Sequence, residues 1–406
     1  MNKSGKRVVI AGAGPVGLCL ALYLLREGID VTLVESLTDE NFLDQVPRAG
    51  SNHPATLEMF DEIGLYDRLE ARGLIAPCFQ YRDRRDNRLI AEFDHAVIAE
   101  ETRFPYVLQC ERIKIIEEAL ALARNYANCD LRMATSLLGF TQDDTGIVAT
   151  IENASGEKES ISAAFIVGAE GGRSVVRKEL GIEFEGFTYP DRVLNIIVAH
   201  DFRQDGFTDR NYISDPDEWA NVFHWMGPPE VWRVHFPADP DADTEALTSE
   251  EACQERLQRF LPSARPYEIL GSNLYTVHQR VASRFIGGRA ILAGDAAHVN
   301  SPIGGMGMNS GIHDAMNLGA KLTGILRGED DLAVLDRYER QRRHIAVKTV
   351  QAQTIRNKRV LAEKDPAVRR QNHETLRRTA EDPVLARQFI LRTSLIESVR
   401  EAATIQ

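Results

Sequence analysis

An uncharged apolar run at 8–11 breaks at closely spaced glycines, resumes with helical periodicity, and is followed by a second apolar run at 31–35. The first run predicts a buried parallel strand over 7–11, the glycines a tight turn, the resumption a helix over 15–27, and the last run a second strand. Gly28 stands just past that helix, where a left-handed capping residue is expected. Further helices are predicted at 52–72 and 111–126. Short apolar runs at 163–169 and 290–293 stop at glycine-rich loops, as further strands of the same parallel sheet would.

Between those two strands the pattern changes. Mixed polar and apolar positions at 193–200, 221–226 and 231–236 predict a second sheet, and the acidic stretch 239–251 predicts a surface loop. From Asp330 onward the chain is charged and helical. Asp365-Pro366 and Asp382-Pro383 each have the form of an N-cap followed by a proline at the first helical position, so each predicts a new helix.

Composition narrows the function. A chain of 406 residues, 43% hydrophobic, can bury a large core in two or three interleaved domains. Its net charge of −12 argues against nucleic acid or an anionic membrane surface as partner, because both need clustered cations. An anionic cofactor must then be held by local devices such as helix N-termini and single arginines. The five cysteines, Cys19, Cys78, Cys110, Cys129 and Cys253, have no paired spacing, which points to no metal site, no disulfide framework and a cytoplasmic setting. The basic start followed by uncharged residues 8–25 copies a signal peptide superficially, but Gly12, Gly14, Pro15 and Gly17 interrupt it.

Gly12-Ala13-Gly14-Pro15-Val16-Gly17 is a GxGxxG loop with a strand before and a helix after. Its first glycine permits the turn, its second lets backbone amides approach a pyrophosphate, and its third lets helix pack on strand. Glu35, 18 residues beyond Gly17, ends the second strand, where a carboxylate can accept hydrogen bonds from an adenosine ribose. This loop alone does not separate FAD from NAD. A second loop, Gly294-Asp295-Ala296-Ala297-His298 continued through Pro302, Gly304, Gly305, Gly307, Met308 and Asn309, sets an acid at a strand end before a helix expected to start near Asn309. The acid can bind sugar hydroxyls, and the loop amides and positive helix end can stabilise a reduced flavin.

The stretch GDAAHVNSPIGGMGMNSGIHDAMNL resembles the signature of the class A FAD-dependent aromatic-ring monooxygenases, the p-hydroxybenzoate hydroxylase type. Pro47-Arg48-Ala49, Gln109-Cys110-Glu111 and Gly168-Ala169-Glu170-Gly171 extend the resemblance over roughly 6–335, with Glu170 where the family has aspartate. The resemblance implies a Rossmann-like FAD-binding domain (1–75, 100–180 and 285–330) interleaved with a substrate-binding sheet domain (76–99 and 181–284), plus C-terminal helices (331–406). It implies Glu35 on the adenosine ribose, Arg48 against the cofactor, Gln109 at the ribityl chain, Asp295 on a ribityl hydroxyl, and Gly305, Gly307, Met308 and Asn309 along the flavin's pyrimidine edge. Glu170 keeps the acid of the pyrophosphate-side motif, one methylene longer. Pro302 would lie beside the flavin at the substrate.

The same resemblance implies an aromatic hydroxylase of phenolic or N-heteroaromatic compounds, using tightly bound FAD, transient NAD(P)H and O2 through a flavin C4a-hydroperoxide, with no metal. Candidates for substrate work lie on the second sheet: Tyr212, Trp225 and Arg233 for binding, His224 and His235 for proton transfer near neutral pH. Strand alternation puts Asn221, Phe223 and Trp225 on one face and His224 on the other, while Arg233 and His235 share a face. Arg233 could pair a substrate carboxylate. Singly, each of these has a plainer reading as a structural hydrogen-bonding or packing group, and His298 reads as a loop-fixing residue. The arginine-rich helix of Arg337, Arg340, Arg342 and Arg343 reads as a solvated face or a homodimer contact. The alternatives are a flavin reductase or oxidase of a lipid-like or polycyclic substrate, similar to geranylgeranyl reductases, and a flavin-binding protein without turnover.

Overall fold

The structure, a computed structural model, describes residues 6–43, 50–227 and 231–406. The strand Arg7–Ala11 lies inside a six-stranded sheet, parallel to Asp30–Val34 on one side and Phe165–Gly168 on the other. Cys129–Arg132 and Ala290–Leu292 extend the parallel set, and Ile286–Gly287 adds an antiparallel edge. Val8, Val9, Ile10 and Phe165–Gly168 are buried, as strands covered on both faces must be. The helices Pro15–Arg26, Arg112–Ala123 and Met306–Arg327 cover one face, and the antiparallel strands Thr135–Gln142, Ile147–Asn153 and Lys158–Ala163 pack on the other. The chain leaves this sheet and returns to it three times, so strands far apart in sequence meet side by side.

An eight-stranded sheet stands beside it, in the order His298–Val299, Ile269–Ala282, Phe184–Val198, Val231–Ala238, Ala220–Trp225, Arg210–Ser214, Cys78–Asp83, Arg88–Asp94. Arg210–Ser214 and Cys78–Asp83 form its parallel pair. One face, carrying Leu194, Ile196, Val222, Trp232 and Val234, packs over the helix Glu250–Phe260. The other faces the six-stranded sheet, and toward its far edge it meets the C-terminal helices through Tyr81, Phe93, Tyr212 and Phe389.

Some elements differ from the sequence reading. The acidic stretch 239–251 is not a loop: it folds into Thr244–Thr248 and the start of Glu250–Phe260, because the Asp243 and Ser249 side chains accept the N–H groups of Ala246 and Ala252. The helix expected over 52–72 splits into Pro54–Glu62 and Tyr66–Glu70 around Gly64, whose φ of +73° cannot continue a helix. Asp365 and Asp382 each accept two backbone N–H groups at the start of a helix, as expected. Among the described residues no helix is long and apolar enough to cross a membrane.

Candidate active site

The glycine loop performs three separate geometric tasks. Gly12 has φ +97°, and a Cβ there would lie 2.6 Å from the backbone oxygen of Ala169. A Cβ on Gly17 would lie 2.0 Å from the Gly12 oxygen, so only glycine lets the helix pack on the strand. A Cβ on Gly14 would meet nothing within 4 Å, because that position faces a cavity. Gly14 is also the N-cap of Pro15–Arg26 and offers no side-chain acceptor, so the first helical N–H groups are available to a ligand. The Glu35 carboxylate accepts the N–H of Ala13 at 3.0 Å and of Leu37 at 3.1 Å, fixing the loop while bordering the same space.

The second loop meets the cavity from the opposite side. Gly304 and Gly305 have φ of +102° and +68°, and the helix starts directly at Met306 rather than near Asn309. Its N-terminus has no side-chain cap, and Gly305, Gly307 and Met308 border the cavity with Asp295. Asp314 holds this loop from below. Its carboxylate accepts Gly294 N–H at 3.0 Å, His298 Nε2–H at 2.8 Å and Arg342 Nε–H at 2.6 Å. Burial pushes Asp314 up, but His298 and Arg342 outweigh it and hold the carboxyl at about 2. The arginine-rich helix is therefore not simply a solvated face: Arg342 is buried on Asp314 and Ser310, Arg343 donates to the Ala282 carbonyl, and Arg340 to that of Gln406.

Three expected cofactor residues lie behind the cavity wall. Asn309, fully buried, donates to the carbonyls of Ser51 and Gly305 and accepts the His53 N–H, so it braces the loop instead of lining it. Gln109 accepts the Ser51 hydroxyl at 2.6 Å, and it is Ser51 that reaches the cavity. Gly17 is a packing glycine. Pro15, Val16, Glu170 and Pro302 do border the space, while Arg48 lies outside the described residues. Glu170 turns one oxygen onto the Val176 N–H at 2.9 Å, capping the helix Val175–Glu179, and burial raises its carboxyl pKa. The longer side chain thus has a local use.

From the eight-stranded sheet, Asn221, Phe223 and Trp225 border the cavity with Arg233 and His235, as alternation predicts. His224 does not. It faces the other side, stacks on Trp232 with ring centres 4.5 Å apart, and bonds to Asp209 at 2.8 Å, which removes it from any catalytic contact. Tyr212 is also withdrawn: it stacks on Tyr81 at 5.3 Å, its hydroxyl accepts from Arg210, and it is covered by the aromatic cluster at the far edge. Arg233 already has a partner in Glu111, and its guanidinium lies 4.5 Å from the Trp225 ring centre. Burial lowers the pKa of Arg233, with Glu111 opposing. His235 hydrogen-bonds the Asn221 backbone, and burial aided by Arg233 lowers it to about 3. It is a neutral imidazole at physiological pH, not a proton relay titrating near 7. Arg112, Asn195, Trp219, Asn273 and Tyr275 also border the cavity, and no motif announced them.

The cavity is about 780 Å³ and runs without a break from the glycine loop to the aromatic face of the sheet, near the upper end of ordinary ligand sites. Two uncapped helix N-termini, an open glycine cradle and strand-end acids fit a dinucleotide, and the sheet beyond leaves a ring-lined chamber at its far end. Fold and site together define an oxidoreductase that holds a dinucleotide against a second, eight-stranded sheet. The chain matches the family model described as an FAD binding domain over residues 6–353. It is 32% identical over 388 residues to the para-nitrophenol 4-monooxygenase of Pseudomonas sp. (strain WBC-3), covering 95% of this chain and 94% of that protein. It is 29% identical to the 6-hydroxy-3-succinoylpyridine 3-monooxygenase HspB of Pseudomonas putida (strain DSM 28022 / S16), covering 89% and 90%. The crystal structure of p-nitrophenol 4-monooxygenase PnpA from Pseudomonas putida DLL-E4 superposes with a TM-score of 0.89 at 32% identity, covering 97% of each chain. The chain belongs to the FAD-dependent aromatic-ring monooxygenases.

Proposed function

We propose that this protein hydroxylates a phenolic or N-heteroaromatic small molecule in the chamber between the Asp295 loop and the eight-stranded sheet, with O2 as oxidant and NAD(P)H as transient reductant. The observation that carries the reading is the single cavity shared by the dinucleotide loops and the rings of Phe223, Trp225 and Tyr275. The relatives named for a nitrophenol and a hydroxypyridine support the substrate class.

FAD, when bound, supplies the activation of O2 that neither substrate nor side chains provide. Gly14 and the N-terminus of Pro15–Arg26 would hold its pyrophosphate, with Glu35 toward the ribose. Asp295 and the N-terminus of Met306–Arg327 would hold its other half. The remaining work belongs to the chain. Trp225, Phe223 and Tyr275 orient a flat ring and exclude water. Pro302 and Ile303 border the space where the two halves meet. His235, neutral and bonded to the Asn221 backbone, offers a hydrogen-bond partner to the ring.

Turnover under ¹⁸O2 with mass analysis of the product tests the reading. One heavy oxygen in the aromatic product is expected, with one NADH or NADPH consumed per product. Unlabelled product, or no product from any phenol or hydroxypyridine, overturns it.

A further inference from the structure

The cavity face of the eight-stranded sheet carries a row that neither alternation nor motif reveals. Register sets Asn221 opposite His235, His235 opposite Asn195, and Asn195 opposite Asn273, so four polar side chains cross four adjacent strands in one line. At the usual spacing between strands the row is about 14 Å long. All four border the cavity. Asn195 and Asn221 are 3% and 5% exposed, yet their Oδ1 atoms have no hydrogen-bond partner among the described residues, and neither does Nδ1 of His235. Those oxygens are sealed off while the residues themselves border the cavity, so their amide N–H groups are what a ligand meets, and one that accepts these hydrogen bonds is selected over one that cannot.

Charge on this face is absent in effect. Among the described strand residues of this sheet that border the cavity, Arg233 is the cation, and Glu111 and Trp225 already engage it. Arg112 reaches the cavity from the helix Arg112–Ala123 and has a partner within the chain. An amide presents both a donor and an acceptor but no charge, so it matches a hydroxyl, nitro or ring carbonyl group better than a carboxylate.

We propose that Asn195, Asn221, Asn273 and His235 form the specificity row of this site, reading an uncharged oxygen substituent on the substrate ring, and that carboxylated rings are rejected. The proposal rests on the hydroxylase reading and adds the residues and polarity that set its selectivity.

The test is titration of the purified FAD-bound enzyme with 4-nitrophenol and with 4-hydroxybenzoate, followed by the change in flavin absorbance. Wild type is expected to bind 4-nitrophenol at least about 10-fold more tightly, a difference of about 1.4 kcal/mol. Asn195→Leu and Asn221→Leu should each weaken 4-nitrophenol by about 10-fold or more while flavin content is unchanged. Asn195→Asp keeps the shape and serves where a leucine variant does not fold: it should lose 4-nitrophenol affinity and retain 4-aminophenol, which can donate to the new carboxylate. Equal or tighter binding of 4-hydroxybenzoate, abolished by Arg233→Met, overturns the proposal in favour of an ion pair. Nitrophenol binding unmoved by the asparagine substitutions overturns the proposal alone. No flavin response to any of these aromatics overturns the hydroxylase reading and the proposal with it.

Discussion

Asp314 lies directly beneath Gly294, accepting its backbone N–H at 3.0 Å from a carboxylate that is wholly buried and ion-paired with Arg342. The turn that carries Asp295 into the cavity is thus supported by a charge 20 residues further on. Removing one partner of such a buried pair leaves the other uncompensated and costs about 3–5 kcal/mol. Asp314→Asn should therefore lower stability by that order, measured by denaturant unfolding of the FAD-bound protein, and should reduce flavin retention. The carboxyl is held at about 2, below its ordinary 3.8, so its contribution is present above pH 4 and is lost as pH falls from 4 toward 2. The difference in stability between wild type and variant should shrink across that window.

The glycine loop separates binding from folding. At Gly14 the backbone is extended, with φ −64° and ψ 177°, and a methyl group meets only open space, so Gly14→Ala should leave the melting temperature of the FAD-free protein unchanged. It should weaken FAD by at least about 10-fold, since the methyl occupies the cradle. Gly17→Ala pushes a methyl to 2.0 Å from the Gly12 oxygen and should destabilise the fold itself by about 1–3 kcal/mol. Calorimetry of the FAD-free proteins with flavin titration distinguishes the two.

Besides His235, three more histidines are buried and held neutral. Burial aided by Arg210 lowers His53 to about 3 and His95 to about 4, and burial aided by Arg342 lowers His313 to about 3. The unfolded chain takes up protons near pH 6.5 while these sites do not. Their stabilising effect is full above that pH and is lost as pH falls toward the folded values. Stability should drop between pH 6.5 and 4 by up to about 1.4 kcal/mol per pH unit for each histidine. Urea unfolding at pH 7, 6 and 5 reads the slope, and a flat profile contradicts it.

Gly50 sits under Trp225, where a Cβ would lie 2.2 Å from the indole ring. Gly50→Ala should displace Trp225 from the substrate side, raising KM for the aromatic substrate about 10-fold or more with flavin content preserved. Steady-state kinetics with flavin quantification checks both halves.

The cofactor half of the site was legible because its chemistry is local. Gly12, Gly14 and Gly17 act through backbone geometry within one turn, and the Asp295 loop is continuous in sequence. The substrate half was legible only as far as alternation reaches. That rule set Trp225 and His224 on opposite faces and Arg233 with His235 on one, but not which face meets the cavity, so His224 stood among the candidates until the fold turned it away. It could not supply register, which alone aligns residues 195, 221, 235 and 273, nor the pairing of Arg233 with Glu111 across 122 positions. Tyr212 lies on the second sheet as expected, in a strand the pattern did not mark, and the stack on Tyr81 covers it. Asn309 matched its motif but is buried as a brace, because the helix begins three residues earlier than its glycines suggest.

The most direct test of the central claim is anaerobic stopped-flow absorbance of the FAD-bound enzyme, mixed with NADH or NADPH with and without 4-nitrophenol or a hydroxypyridine, then with O2. The account predicts that one nicotinamide bleaches the flavin, that an aromatic ligand of the cavity accelerates the bleaching, and that O2 then restores the yellow form with hydroxylated product. Reoxidation that yields only hydrogen peroxide, with every aromatic recovered unchanged, or a flavin that neither nicotinamide reduces, would contradict it.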